Sequence, residues 1–351
     1  MAKNTTKDIQ QQLITIGETL GFRAQEEFTF ERQQGYTPRY DVVWLLDVQK
    51  LNVAHLPGVM LLDERWLPFA AFEIEGSTTS SKNQVGNVGN LLMAPTQYRF
   101  IVVANEQATT ERDTYRRGVK IVRTMQELFG NYELFFLDAS MLHTLEHLEE
   151  TTIVLAPERA ARLKGSGGEK QSLQIAKRLY PLLAKTKLAL HQDYTSDYYK
   201  IHYEQKTKRP KEYTYEPSPL ERRPLRGVTS YYYCSKIDWS AGFEIEGGFV
   251  QFLRQLAENL GPDVTLYPRL AHLLKYPNVT SIYYPLLGIE FETGQNKHAI
   301  GGLMNAGRLH QFGWIVADES FRNAVETYQT HFGLQNTYFL PTQRLKGERE
   351  R

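Results

Sequence analysis

The sequence predicts an α/β protein with two similar units, each an αβββαβ arrangement in which a mixed central sheet is flanked by helices. Two observations support this class: apolar residues switch between helical and strand spacing along the chain, and the two ends of the chain resemble each other. A basic, tyrosine-rich stretch lies between the ends. We therefore expect a first unit in residues 1–150, a connecting segment in 151–240 and a second unit in 241–345.

The elements of the first unit follow from the spacing of its apolar residues. Ile9, Leu13, Ile16 and Leu20 fall at helical spacing, and Gly21 is suited to end that helix. Short apolar runs downstream indicate buried strands, and the amphipathic stretches between them indicate helices. The further predicted elements are strands at 22–30, 40–46 and 69–75, a helix at 79–93, a strand at 99–104, a helix at 111–128 and a strand at 133–137.

The elements of the second unit follow from an internal repeat. The matched blocks are Glu18–Gly21 with Glu258–Gly261, Phe72–Glu75 with Ile289–Glu292, Lys82, Gly86 and Asn90 with Lys297, Gly301 and Asn305, and Phe129–Leu137 with Phe332–Leu340. Phe-Glu-Ile-Glu-Gly also recurs at 243–247, but the later register matches over more blocks. The repeat predicts a helix at 249–260, strands to about 293, a helix at 298–309, a strand at 314–317, a helix at 321–332 and a strand at 337–340.

The composition excludes several classes of protein. The single cysteine, Cys234, cannot form an internal disulfide and offers no zinc cage. Residues 1–12 are polar and lack the apolar core of a signal peptide, and no apolar run approaches the roughly 20 residues of a membrane span. We therefore expect a cytoplasmic protein with no membrane partner.

The charge of the chain is unevenly distributed although the formal net charge is only +1. Residues 157–236 carry 17 Lys and Arg against 8 Asp and Glu, and ten tyrosines lie between Tyr180 and Tyr233. Such a segment is suited to following a phosphate backbone, but a solvated connector explains it equally well. Both interpretations stay open.

Three acidic residues of the first unit indicate a metal site. Glu73 and Glu75 are two apart on a predicted strand and therefore share a face, and Asp41 lies on the neighbouring strand. Converging carboxylates are costly to bury without a cation, and hard oxygen ligands suit Mg²⁺ or Mn²⁺. A bound divalent ion activates water and stabilises charge on a phosphate, which is the chemistry of phosphodiester hydrolysis.

Pro38-Arg39-Tyr40-Asp41 followed by Phe72-Glu73-Ile74-Glu75 on an αβββαβ frame resembles the PD-(D/E)xK nuclease superfamily, which has the restriction-endonuclease fold. The resemblance implies metal-dependent DNA cleavage, with Asp41 and Glu73 as metal ligands and Glu18 as an acid from the first helix. Glu75 stands where Lys is usual in the family, and some similar enzymes use Glu there as a base or additional ligand. Lys82 is the other source of an ammonium group, so the choice of base stays open.

The second unit repeats only part of this set. Glu290, Glu292 and Lys297 correspond to Glu73, Glu75 and Lys82. No acidic residue lies between Asp263 and Glu290, so we expect the position of Asp41 to be empty unless Asp263 reaches it from an earlier strand. The second unit is therefore expected to be degenerate and to serve DNA binding or dimerisation.

The sequence thus predicts a metal-dependent double-strand DNA endonuclease of the type II restriction class, with duplex DNA as its partner and a homodimer left open. One alternative is a DNA-binding protein that keeps the nuclease fold without activity. The other is a repair or defence nuclease acting on RNA or on branched or damaged DNA.

Overall fold

The computed structural model describes residues 6–30, 37–76, 79–104, 108–129, 133–156, 170–195, 236–293 and 296–345. Within these residues the protein is a mixed α/β fold with two mixed sheets flanked by helices. None of the helices described there is both long enough and apolar enough to cross a membrane.

Every helix and strand predicted for the first unit is present, and the strands form the first sheet. Its strands lie in the order β1-β2-β3-β4-β5, with antiparallel pairing from β1 to β3 and parallel pairing from β3 to β5. The elements are α1 (Thr6–Thr19), β1 (Arg23–Thr29), β2 (Arg39–Asp47), β3 (Trp66–Glu75), α2 (Ser81–Met93), β4 (Tyr98–Val103), α3 (Ala108–Phe129) and β5 (Leu134–Asp138).

The second sheet has the order β11-β10-β9-β8-β6, and β7 also pairs with β8. Its strand β8 is antiparallel to β9, whereas β9, β10 and β11 are parallel. The elements are β6 (Thr151–Val154), α4 (Lys170–Leu183), β7 (Ala189–Thr195), β8 (Lys236–Gly247), α5 (Gly248–Leu260), α6 (Pro268–Lys275), β9 (Ser281–Glu292), α7 (Asn296–Leu309), β10 (Phe312–Ala317), α8 (Arg322–Phe332) and β11 (Thr337–Pro341).

The two sheets share one connectivity, but the repeat begins earlier in the chain than the sequence blocks indicate. Helix α4 and the antiparallel strand β7 precede β8 as α1 and β1 precede β2. The predicted helix at 249–260 is present as α5, yet it lies between β8 and β9, so Glu258–Gly261 does not occupy the topological position of Glu18–Gly21. Strands β6 and β7 lie in the predicted connector; its residues 157–169 and 196–235 lie outside the described residues.

Helix α5 joins the two sheets into one core. Eight of its residues are buried, as expected for a helix that is apolar on most of its surface. The Phe249 ring lies 4.7 Å from both Phe69 and Tyr98 of the first sheet, and the Phe252 ring lies 5.4 Å from Trp44. The hydrophobic core is therefore continuous through both halves of the chain.

Gln311 links the two sheets through polar contacts at their interface. Its side chain is buried, and its Nε2 donates to the Pro68 carbonyl at 2.7 Å and to the Pro95 carbonyl at 2.6 Å. Its Oε1 accepts from the Tyr284 hydroxyl at 2.6 Å. Because both the N–H groups and the oxygen of this buried amide are hydrogen-bonded, Gln311 fixes how the two sheets are oriented at a contact that is otherwise apolar.

Tyr267 covers the outer edge of the first sheet at β5. Its buried hydroxyl accepts from the Phe136 backbone N–H and donates to the Phe136 carbonyl, both at 3.1 Å. Both groups belong to an edge strand and need partners when they are buried. The Tyr267 hydroxyl thus makes the hydrogen bonds that a further strand would otherwise make with Phe136.

Tyr267→Phe should destabilise the protein by about 1–3 kcal/mol, because it leaves the buried N–H and C=O of Phe136 unpaired. Urea unfolding measures the change. Tyr276→Phe is the matched control, since Tyr276 is exposed and its variant should change stability by less than about 0.5 kcal/mol. Equal effects of the two variants would show that the Tyr267 hydroxyl does not protect the edge.

Candidate functional site

Asp41 and Glu73 face each other across strands β2 and β3. They lie one position beyond the registered pair Val42 and Phe72, so both side chains project from the same face of the sheet. The Ile74 backbone N–H donates to Asp41 Oδ2 at 2.6 Å. This bond fixes the Asp41 carboxylate beside the strand that carries Glu73.

The Glu73 carboxylate is buried with an incomplete set of partners. Asn90 of α2 hydrogen-bonds it, but Glu73 Oε1 has no hydrogen-bond partner among the described residues. Burial, followed by the negative charge of Asp41, raises the pKa of Glu73 to about 8. Burial also raises the pKa of Asp41, against the opposing effect of the Ile74 N–H. Arg39 opposes the rise in the pKa of Asp41, and no cation is among the groups that act on the pKa of Glu73 in the described part of the chain.

Both carboxylate oxygens of Glu75 accept hydrogen bonds from amide groups of α2. Its Oε2 accepts from Gln84 Nε2 at 3.0 Å, and its Oε1 accepts from Asn87 Nδ2 at 3.1 Å. Burial raises the pKa of Glu75, while the two amides oppose the rise. The structure therefore brings Asp41 and Glu73 together but holds the predicted third acid by two amide groups.

The other residues predicted for this site lie apart from the pair. Glu18 is exposed on the last turn of α1, whereas the α1 residue that reaches the Asp41 strand is Gln10, which donates to the Asp41 carbonyl at 3.0 Å. Eight residues of helix separate Gln10 from Glu18, a rise of about 12 Å. Lys82 is exposed on the first turn of α2, and the Lys297 side chain lies outside the described residues.

The second sheet contains the same acidic pair, and the expectation of an empty aspartate position is wrong. Asp238 of β8 lies opposite Glu290 of β9, one position beyond the registered pair Trp239 and Ile289. The Phe291 N–H donates to Asp238 Oδ2 at 2.8 Å, as the Ile74 N–H does to Asp41. Asn305 hydrogen-bonds Glu290, as Asn90 does Glu73. Asp263 does not supply this position, because it lies in the turn after α5 and not on β8.

Glu292 stays with its acidic neighbours, unlike Glu75. Counted from the paired residues Asn90 and Asn305, the positions of Gln84 and Asn87 are Ala299 and Gly302, which have no amide side chain. A Cβ on Gly302 would lie 2.8 Å from Glu292 Oε1, so the glycine makes room for this carboxylate. Burial, then the charge of Asp238, raises the pKa of Glu290 to about 9 and that of Glu292 to about 7.

The structure thus gives two acidic sites that differ in their third carboxylate. Within the described residues, no group of three or more His, Cys, Asp or Glu side chains is arranged to hold a metal ion. The arrangement that does fit a cation is the cross-strand pair, because Mg²⁺ commonly takes one or two protein carboxylates together with water and substrate oxygens. The unpartnered Glu73 Oε1 offers one such ligand atom.

Sequence reasoning missed Asp238 and the amides that hold the glutamates. The shared Lys, Gly and Asn spacing contained the signal for Asn90 and Asn305, because these residues lie on the helix that follows each Glu-x-Glu strand. Asp238 gave no comparable signal, since α5 and α6 separate it from its partner strand. Comparison with protein-family models, curated proteins and solved structures finds no match to this chain.

Glu73→Gln should stabilise the metal-free protein at high pH. Because the folded-state pKa of Glu73 is raised to about 8, the folded wild type binds more protons than the unfolded chain above pH 4.5, and its free energy of unfolding falls as pH rises through that range. Glutamine does not titrate, so the advantage of the variant should grow by on the order of 3 kcal/mol between pH 4.5 and 9. Chemical unfolding at several pH values in EDTA measures it.

Glu18→Gln is the control, because Glu18 is exposed and should give a pH profile like that of the wild type. A Glu73→Gln profile parallel to the wild-type profile would contradict the buried, uncompensated state of Glu73.

Proposed function

We propose that this protein is a metal-dependent endonuclease that hydrolyses phosphodiester bonds of duplex DNA, as type II restriction enzymes do. The observation that carries the proposal is the facing pair of a half-buried Asp41 and a buried Glu73, whose Oε1 has no hydrogen-bond partner among the described residues. A protein that buries two facing carboxylates loses stability unless a cation or a proton compensates them. A divalent cation beside a phosphate is the compensation that also performs chemistry.

Mg²⁺ or Mn²⁺ is the proposed cofactor. Asp41 and Glu73 would hold it in the N-terminal half, and Asp238 and Glu290 would hold it in the C-terminal half. When bound, such an ion lowers the pKa of an attacking water and offsets negative charge on the scissile phosphate. Asn90 and Asn305 keep one oxygen of each glutamate occupied, which orients the other oxygen.

The third acid has different roles in the two halves. Glu75 accepts from Gln84 and Asn87, so it fixes the start of α2 and is poorly placed to act as a base. In the metal-free protein, burial and then the charge of Asp238 raise the pKa of Glu292 to about 7, which is in the range of an acid–base group at neutral pH. We therefore assign the base of the C-terminal site to Glu292, and keep Lys82, exposed on the first turn of α2, as the candidate ammonium group of the N-terminal half.

The fold interpretation follows from the same repeated parts. Each half has a helix, an antiparallel pair leading to the Glu-x-Glu strand, and then two parallel strands with connecting helices. We propose that both halves are restriction-endonuclease-like units and that each cuts one strand. On this proposal one chain contains both sites, and a homodimer is not required for a double-strand break.

An inactive DNA-binding protein with this fold is the second candidate. It is favoured by the lack, in the described part of the chain, of a three-acid group arranged to hold a metal ion. It predicts binding to DNA without cleavage in Mg²⁺ or Mn²⁺. A nuclease for RNA or branched DNA would instead cut those substrates in preference to plain duplex.

Asp41→Asn and Asp238→Asn should separate the two strand cleavages. We expect the wild type to convert supercoiled plasmid to the linear form in Mg²⁺, and each single variant to stop at the nicked circle. The double variant should be at least about 100-fold slower, because each substitution removes metal-mediated stabilisation worth several kcal/mol. Agarose gels of timed digests provide the measurement, and Glu18→Gln serves as the control.

Unchanged cleavage by the double variant would show that neither acidic pair is the active site. Linear product from Asp238→Asn at the wild-type rate would confine the chemistry to the N-terminal half. Digests of RNA and branched substrates in the same series distinguish the remaining candidate.

A further inference from the structure

Helix α3 presents an exposed basic face in the N-terminal half. Arg116, Arg117, Lys120 and Arg123 are all exposed, and in the sequence of α3 Asp113 and Glu127 flank this basic stretch. Residues 116, 120 and 123 are spaced by four and three, so they lie along one side of the helix. The row extends over seven residues, a rise of about 10 Å.

The opposite side of α3 packs on the sheet and sets the direction of the basic row. Thr114, Gly118 and Val122 are buried, and any Cβ at Gly118 would collide with the ring of Phe136 in β5. Because this side of α3 packs on the sheet, the cations on the opposite side of the helix face solvent.

The row starts beside the acidic site of the N-terminal half. Arg117 Nη2 donates to the Thr79 carbonyl at 3.0 Å, just before α2 begins. The charge of Arg117 also acts to lower the pKa of Glu75. Lys120 is one helical turn from both Arg116 and Arg117, so the remaining cations lead away from the site along the helix.

The fold does not require this charge pattern. Helix α8 has the same position in the second sheet, between two parallel strands, as α3 has in the first. The sequence of α8 has a single arginine, Arg322, together with Glu326 and no lysine. The basic row on α3 is therefore a property of this helix that packing alone does not explain.

We propose that the row of Arg116, Lys120 and Arg123 binds the phosphate backbone of duplex DNA next to the Asp41 and Glu73 pair. Three cations can contact about three phosphates, and a row of about 10 Å is long enough to reach successive phosphates of one strand, which are about 3.4 Å apart along the duplex axis. The choice of DNA rests on the proposed function, while the charge complementarity rests on α3 itself. Arg117 stays at the start of α2 and serves to link the row to the site.

Binding without metal tests the row separately from cleavage. Fluorescence anisotropy with a labelled duplex in EDTA, repeated over a series of KCl concentrations, gives the affinity and its salt dependence. The triple variant Arg116→Gln, Lys120→Gln and Arg123→Gln should bind more weakly, and its slope of log K against log salt should be smaller by about 2–3. Thermal unfolding checks that the variant folds.

The matched control is the triple variant Lys50→Gln, Lys185→Gln and Lys275→Gln, which removes the same charge from exposed lysines elsewhere. Equal weakening by the two triple variants, or none by the α3 variant, would overturn the inference. So would weaker binding of an RNA duplex with unchanged binding of DNA. If the wild type binds DNA through α3 but cuts no substrate, the proposed function fails and this inference stands.

Discussion

A pair of facing carboxyl groups, one buried glutamate and one half-buried aspartate on neighbouring antiparallel strands, recurs in both sheets. Asp41 against Glu73 and Asp238 against Glu290 occupy equivalent registers, and in each case a backbone N–H of the Glu-x-Glu strand holds the aspartate. Burying two facing carboxylates opposes folding. The same unfavourable arrangement occurs in both sheets, which argues for a function that needs it, since packing alone would favour apolar residues at these positions.

The strands that carry the two pairs share a further feature, a shift of register near each aspartate. The register of β2 and β3 shifts between Trp44 and Leu45, three residues after Asp41, and that of β8 and β9 shifts between Ala241 and Phe243, three residues after Asp238. A bulge of this kind bends a strand and re-aims its side chains. The continuous core formed by α5 then supports both acidic pairs at once, so the stability of one half depends on the other.

Local patterns predicted the first sheet well because its elements follow each other in the order in which they pair. Strands 40–46 and 69–75 were predictable as buried apolar runs, and their pairing placed Asp41 beside Glu73. In the second half the pairing of β8 with β9 was not predictable in this way, because α5 and α6 lie between Asp238 and the strand it faces. The partners of Glu75 were also not predictable, because nothing in the sequence distinguishes Gln84 and Asn87 from ordinary polar residues of an amphipathic helix.

The two halves differ in the groups that surround Glu75 and Glu292. In the N-terminal half, two amides occupy both oxygens of Glu75, and the nearby Arg117 connects the start of α2 to a basic helix. In the C-terminal half, Gly302 leaves room for Glu292 beside Asp238, and the helix corresponding to α3 carries an internally paired arginine. On the proposed function, the N-terminal half therefore contributes more to holding the phosphate backbone. The C-terminal half contributes the fuller acidic set, because its third carboxylate remains available to the site.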